Sequence, residues 1–411
     1  MQAPTAAGAA AGDRAIKPWP MLAALIAGFM LSQAYRTAAA MMASHLQADF
    51  HLSSAQLGTY AGAFHFAFGA LQLFMGTGID LYGIRRTLLA VFPLTVVGAL
   101  LSAYAGSFGT AVLGQALMGT GCAPAFLVCT VFITRRFAPE RFAAVSGAVL
   151  GIGGMGMLLT ATPLAWVVQE FSWRTGFLVL AGLSTLAWIG IFVLVRDTPR
   201  AATGSATAQI TQALRGFGSL LAMPHTLGII ALGSVTYASF MSLRGLWLGP
   251  LLVDRYGYSL VASGNVALLV SIVSLFGPPL FGRLDPGAAH RRRWIIGFTL
   301  FMALLFALMA WLHSALALLG GAVLIAFISG YMVLQYADVR AAYPSELTGR
   351  AMAAFTMGMF LGIALMQWAT GAVASIAAAH GFDAYAAALC TIALMLGAGA
   401  LAFVALPAPK K

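Results

Sequence analysis

Apolar stretches of about 20 residues recur along the whole chain, separated by short polar breaks. That is the length a helix needs to cross the hydrocarbon core of a bilayer. The pattern predicts twelve membrane-spanning helices, near 19–45, 56–79, 86–106, 109–134, 142–168, 174–196, 225–252, 259–281, 292–312, 315–339, 350–377 and 384–406. Glycine and proline are frequent inside them, which membrane helices tolerate where neighbours or water re-satisfy the backbone. The longest polar break, Arg196–Met223, is rich in Ala, Thr, Gly and Ser and divides the spans six and six. The expected fold is an all-α membrane protein of two pseudo-symmetric six-helix bundles. Its parts are a cytosolic tail over 1–18, a bundle over 19–196, a cytosolic linker over 197–223, a second bundle over 224–406 and a short tail over 407–411. Within the linker, Thr207–Leu220 is a candidate surface helix.

Composition sharpens this picture. The 411 residues are 61% hydrophobic and 8% charged, against about a quarter charged in soluble domains. The net charge of +11 does not point to nucleic acid, because the basic residues are scattered over short loops between apolar runs. They set topology instead. An even number of spans puts both termini on one side. With that side cytosolic, only Arg174 and Arg255 of the 22 Lys+Arg residues fall outside, and Arg36 and Arg244 fall within spans; every other one lies inside, as the positive-inside rule requires. Cys122, Cys129 and Cys390 lie in apolar runs and form no metal spacing or disulfide framework. The first apolar run is too long for a signal-peptide core, so no cleavage is expected.

The two halves repeat each other. Arg36 corresponds to Arg244, Asp49 to Asp254, Gly58 to Gly264, Gly76 to Gly282, Asp80 to Asp285 and Arg85-Arg86 to Arg291–Arg293. Leu52-Ser53 likewise matches Tyr258-Ser259, and Pro139-Glu140 matches Pro344–Glu346. The offset stays nearly constant, which marks parallel repeats about an axis along the membrane normal, with a site expected at their interface near the midplane.

At Gly76-Thr-Gly-Ile-Asp80-Leu-Tyr-Gly83-Ile-Arg85-Arg86 the chain resembles the major facilitator superfamily, whose loop between helices 2 and 3 carries such a motif. The run Phe171-Ser-Trp173-Arg174-Thr-Gly-Phe177 resembles a turn found before helix 6 in that superfamily. Ala34-Tyr35-Arg36 and Ser242-Leu243-Arg244-Gly245-Leu246-Trp247 are similar to the organophosphate and organic-anion carriers. There, paired arginines at these places bind the anionic substrate. Nitrate carriers resemble the chain less, since neither Gln56–Ile79 nor Ser259–Phe281 holds an arginine. Gln115 stands where proton-coupled drug antiporters carry an arginine, which argues against drug antiport.

An arginine inside a membrane helix costs at least a few kcal/mol and keeps its proton. The acids all read as loop or helix-end residues, Asp338 being nearest to an interior position. Two buried cations without carboxylate partners repel each other and call for an anion, which guanidinium holds in fork geometry. The expectation is a substrate-binding set of Arg36, Arg244, Tyr35, Trp247, His65, Gln72, Gln335 and Gln367. Gln33, Tyr237 and Tyr331 are further candidates for the cavity wall. Trp247, three residues from Arg244, is expected on about the same helix face.

A gating set of Gly76, Asp80, Gly83, Arg85, Asp285, Arg141 and Arg350 is also expected. In it Asp80 and Asp285 face the N-termini of helices 11 and 5 across the bundle. The Gly-rich run Gly147–Gly156 lacks the strand and lysine of a nucleotide loop and reads as close helix packing or a hinge. No nucleophile–base pair, metal cluster or cofactor loop is visible, so neither an enzyme nor a cofactor is expected. The functional expectation is a secondary active transporter of a small organic anion, carboxylated or phosphorylated. It would be a monomer in the cytoplasmic membrane, with lipid around it and a coupling proton or counter-anion as second partner. The rival readings are a proton-driven exporter of drug-like or amphiphilic compounds and a non-transporting membrane sensor.

Overall fold

A computed structural model describes residues 18–197, 218 and 220–407. The expected tails and the candidate helix at Thr207–Leu220 lie almost wholly outside these residues. The described chain is helical throughout, with no strand. Twelve membrane-crossing helices are numbered here α1 to α12: α1 Pro18–Phe50, α2 54–82, α3 84–103, α4 Phe108–Arg136, α5 Glu140–Glu170 and α6 Trp173–Leu194 in the first half; α7 Pro224–Arg255, α8 Leu260–Arg283, α9 Arg291–Leu312, α10 Ala315–Ala342, α11 Ser345–Ala379 and α12 Ala384–Ala405 in the second. Among the described residues ten spans are long and apolar enough to cross a membrane: α4 to α12, and Phe74–Ala103, which covers the end of α2 and α3. α1 and α2 have the length but carry more polar positions, including Arg36, His65 and Gln72.

Local chemistry sets where these helices begin and break. Ser53 and Gln56 form a reciprocal capping box at the start of α2, and the Asp383 carboxylate accepts from the backbone N–H groups of Tyr385 and Ala386 at the start of α12. Between α2 and α3 the backbone reverses at Gly83, whose φ of 85° favours glycine. Asp197 fills the space a side chain there would need. Its carboxylate accepts from the N–H of Arg85 at 2.9 Å and of Arg86 at 3.4 Å, capping α3. In α7 the ordinary helix widens twice into π-helix, at Leu243–Trp247 and Leu251–Arg255.

The repeat seen in the sequence is present in the packing. Gly58 of α2 lies against the backbone of α11 at Gln367 and Gly371, and its counterpart Gly264 of α8 lies against Thr162 and Ala165 of α5. Glycine is needed at Gly58 because a Cβ would fall 2.3 Å from the Gln367 carbonyl oxygen.

One end of the molecule carries Arg85, Arg135, Arg141, Arg291 and Arg350, here termed the basic end; the other carries Asp49, Arg174, Asp254 and Arg255. The hydrogen bonds described between the halves run from midspan toward this second end. They join Ser44 to Asp254, Thr162 to Asn265, the Val261 N–H to Gln169, His65 to Gln367, and Arg244 to the carbonyls of Met157 and Thr160. Toward the basic end the first half has an apolar core of its own, built from Met21, Ile79, Ile84, Ile133, Val145 and Val195 among others. The larger core spans both halves. The halves are therefore sealed together at one end and separately packed at the other.

Candidate functional site

The helices α1, α7 and α11 converge at Gly245. A Cβ there would lie 2.9 Å from the Arg36 carbonyl oxygen and 3.9 Å from Gln367 Nε2. The two arginines flank this crossing and turn toward different neighbours. Arg36 extends to α2 and α11, with its guanidinium carbon 4.6 Å from the Phe68 ring centroid and 4.7 Å from that of Phe360. The two rings are themselves 4.3 Å apart. The three groups form a nearly equilateral wedge, so both rings back the cation from one side. Tyr237 and Tyr336 lie close by. Arg36 Nε has no partner, and the residue is 6% exposed.

Arg244 extends to α8 and α5. Its Nε donates to Ser271 Oγ at 2.9 Å, and its Nη2 donates to the carbonyls of Met157 at 3.2 Å and Thr160 at 3.5 Å. It is wholly buried, and Nη1 has no partner. Among the described ion pairs, none joins either arginine to a carboxylate.

These environments differ in how well they compensate a buried charge. Each cation–π contact contributes about 0.5–2 kcal/mol, whereas desolvating the ion costs several kcal/mol. Hydrogen bonds from a charged donor contribute about 1.5–3 kcal/mol each. Arg36 is thus left under-compensated, while Arg244 is largely tied down.

His65 sits beside Arg36. Its Nδ1 is 3.1 Å from Gln367 Oε1 and 3.3 Å from the Ala61 carbonyl. Both partners accept, so Nδ1 carries the proton and the neutral ring leaves Nε2 as an acceptor. Gln367 then keeps its Nε2 donor unpaired. Arg36, His65 and Gln367 are therefore brought together. Phe68, Phe360 and Tyr336 join them, although they were not in the sequence-based set. Phe68 follows His65 by three residues and so shares its face of α2, a signal that was available; Phe360 had none.

The other candidates stand elsewhere. The Tyr35 hydroxyl pairs with Ser184 Oγ of α6 at 3.0 Å, inside the first half. Gln72 Nε2 donates to the Ala123 carbonyl at 3.1 Å. Gln335 accepts from the Thr236 hydroxyl at 3.0 Å and, with Asp338, lines a cavity of about 10 Å³ within the second half. The Tyr331 hydroxyl pairs with Thr299 at 2.7 Å. The shared face expected for Arg244 and Trp247 is not found. Both lie in a π-helical segment, where the angular step is smaller than in an α-helix. Trp247 Nε1 donates instead to Thr370 Oγ1 of α11 at 3.0 Å.

The expected gating residues gather at the basic end. Asp80 pairs with Arg135 of its own half at 3.5 Å. Asp285 is held by Arg291, Nη2 at 2.6 Å and Nε at 3.0 Å, and accepts from the Gly287 N–H. The Arg291 guanidinium beside it is the main cause that holds the Asp285 carboxyl below the usual carboxylate range. Arg141 and Arg350 are exposed. Arg85 donates through Nη2 to the Phe192 carbonyl at 3.0 Å, and a side chain on Gly76 would make only ordinary contact with Leu127.

Residues 24–367 match the model of the Major Facilitator Superfamily. The chain belongs to this superfamily. It is 23% identical over 264 residues to the hexuronate transporter of Bacillus subtilis (strain 168), covering 63% of this chain and 62% of that one. It is 26% identical over 180 residues to the D-galactonate transporter of Escherichia coli O6:H1 (strain CFT073), covering 44% and 41%. The chain thus spans less than two thirds of these curated relatives. A nucleoside transporter of known structure superposes with a TM-score of 0.75 at 14% identity, covering 94% of this chain and 99% of that one. These superfamily relatives are named as transporters, in keeping with a protein that is not an enzyme.

Proposed function

We propose that this superfamily member is a secondary active transporter that carries a small organic anion across the cytoplasmic membrane by alternating access. The observation that carries the reading is Arg36, buried at the crossing of α1, α7 and α11 with an unpaired Nε and no described carboxylate partner. A charge so placed is stabilised by an anion entering from water. The hexuronate and D-galactonate names of two relatives agree with such a cargo.

The proposed topology puts the basic end, and both termini, in the cytosol. The conformer described is then closed on the outside and separated on the inside. Transport requires the ties from His65–Gln367 to Ser44–Asp254 to break while the basic end closes, bringing Asp80, Asp285, Arg141 and Arg350 toward the opposite half. Arg36 serves both states because it sits at midspan. The working unit is one chain in lipid, and a proton or a counter-anion completes the cycle. The test is uptake of labelled carboxylates and phosphate esters into liposomes holding the purified protein. Uptake of at least one anion is expected, lost in Arg36→Ala. Uptake unchanged in Arg36→Ala would overturn the reading.

A further inference from the structure

The surroundings of Arg36 define more than the sign of the cargo. Three features restrict it. First, Arg36 is the less compensated of the two charges, because Arg244 spends Nε and Nη2 on Ser271, Met157 and Thr160 and keeps only Nη1 unpaired. A phosphate monoester carries about −1.5 to −2 at neutral pH, so a dianion would leave uncompensated negative charge in the interior. Second, Arg36 Nε and Gln367 Nε2 are both unpaired donors, and the Gln367 amide and the Arg36 backbone meet at Gly245. A carboxylate has two oxygens with which to accept from such a pair of donors. Third, the described neighbours of the guanidinium are mostly aromatic: Phe68, Phe360, Tyr237 and Tyr336. The Tyr336 hydroxyl is already turned to Met359 Sδ at 3.5 Å. A sugar acid would bring several hydroxyls to such walls, and each buried hydroxyl without a partner costs about 1–3 kcal/mol.

Resting on the anion-carrier reading above, we infer that the site is built for a monovalent carboxylate with a flat, apolar or aromatic body. The carboxylate binds Arg36 and Gln367, and the body stacks on the Phe68–Phe360 wedge. This separates the chain from its sugar-acid relatives in cargo. His65 acts as a positioning residue: by occupying Gln367 Oε1 it turns the amide so that Nε2, the donor, faces the carboxylate.

The test is calorimetric binding to the purified full-length protein, with phenylacetate, glucuronate and phenyl phosphate as probes. Phenylacetate is expected to bind at least about tenfold tighter than the other two, a difference of about 1.4 kcal/mol. Phe68→Leu and Phe360→Leu are expected to weaken phenylacetate several-fold more than any other ligand, and Arg36→Lys to weaken it at least about tenfold. The melting temperature of each variant is followed in parallel, so that misfolding is told from lost binding. Tighter binding of glucuronate or phenyl phosphate, abolished in Arg36→Ala, would overturn this inference and leave the anion carrier standing. If no anion binds in an Arg36-dependent way, both fall together.

Discussion

Arg36 and Arg244 occupy matching places in the two halves, yet the repeat has given them opposite surroundings. Arg36 reaches α2 at Phe68 and α11 at Phe360. Arg244 reaches the corresponding helices, α8 at Ser271 and α5 at Met157. Where α2 and α11 offer two aromatic rings, α8 and α5 offer a hydroxyl and backbone carbonyls. The same guanidinium is thus left open in one half and tied across the halves in the other. Duplicated scaffolds supply paired positions; the neighbouring side chains decide which copy binds and which one holds.

The largest effect should come from Arg36. Arg36→Ala is expected to lower transport about a hundredfold, the loss of about 2–3 kcal/mol from a charge-assisted fork, while the melting temperature moves little. Arg244→Lys keeps the charge but cannot reach the same acceptors. It is expected to destabilise the fold by about 2–4 kcal/mol, seen as a lower melting temperature, with transport falling only as folded protein is lost. A stable Arg244→Lys that fails to transport would erase the contrast between the two residues. Gln367→Leu removes the His65 tie between the halves, worth about 0.5–1.5 kcal/mol. It should shift the protein toward the conformer open at the other end, read as faster labelling of a cysteine placed at Ser44.

The smallest effect concerns the matching acids. Asp285 is clamped by Arg291, whereas Asp80 is 61% exposed beside Arg135. Because the Asp285 carboxyl titrates below its ordinary value, its contribution is present above about pH 4 and fades as the pH falls through the lowered value. Asp285→Asn should therefore lower the melting temperature slightly at pH 7, and the gap from the unmodified protein should close in acid.

Much of this architecture was legible in the sequence. Apolar runs of membrane length located the helices, and one offset linking Arg36 to Arg244 and Gly58 to Gly264 exposed the repeat. The meeting of Arg36, His65 and Gln367 could be proposed only loosely, because polar residues in membrane helices are conspicuous but their partners are not. Phe68 and Phe360 escaped notice for the opposite reason: an aromatic residue in an apolar helix gives no sign of facing a charge. Tyr35 and Gln72 show the converse: both are conspicuous polar residues, and each polar group finds a partner inside its own half. The direction of Arg244 relative to Trp247 was out of reach, because a 3.6-residue period cannot register the wide turns of α7.

Those two wide turns give α7 a reserve of slack that no other helix described here has. A π-bulge holds one residue more than the turn it replaces, and one residue corresponds to about 100° of rotation in an ordinary helix. If the turn at Leu243–Trp247 tightened while the one at Leu251–Arg255 took up the difference, the short segment between them would swivel with both ends of the helix anchored. Arg244 and Trp247 would then exchange neighbours without any sliding of the span through the lipid. The joint of this carrier would lie inside a single helix as well as between its halves.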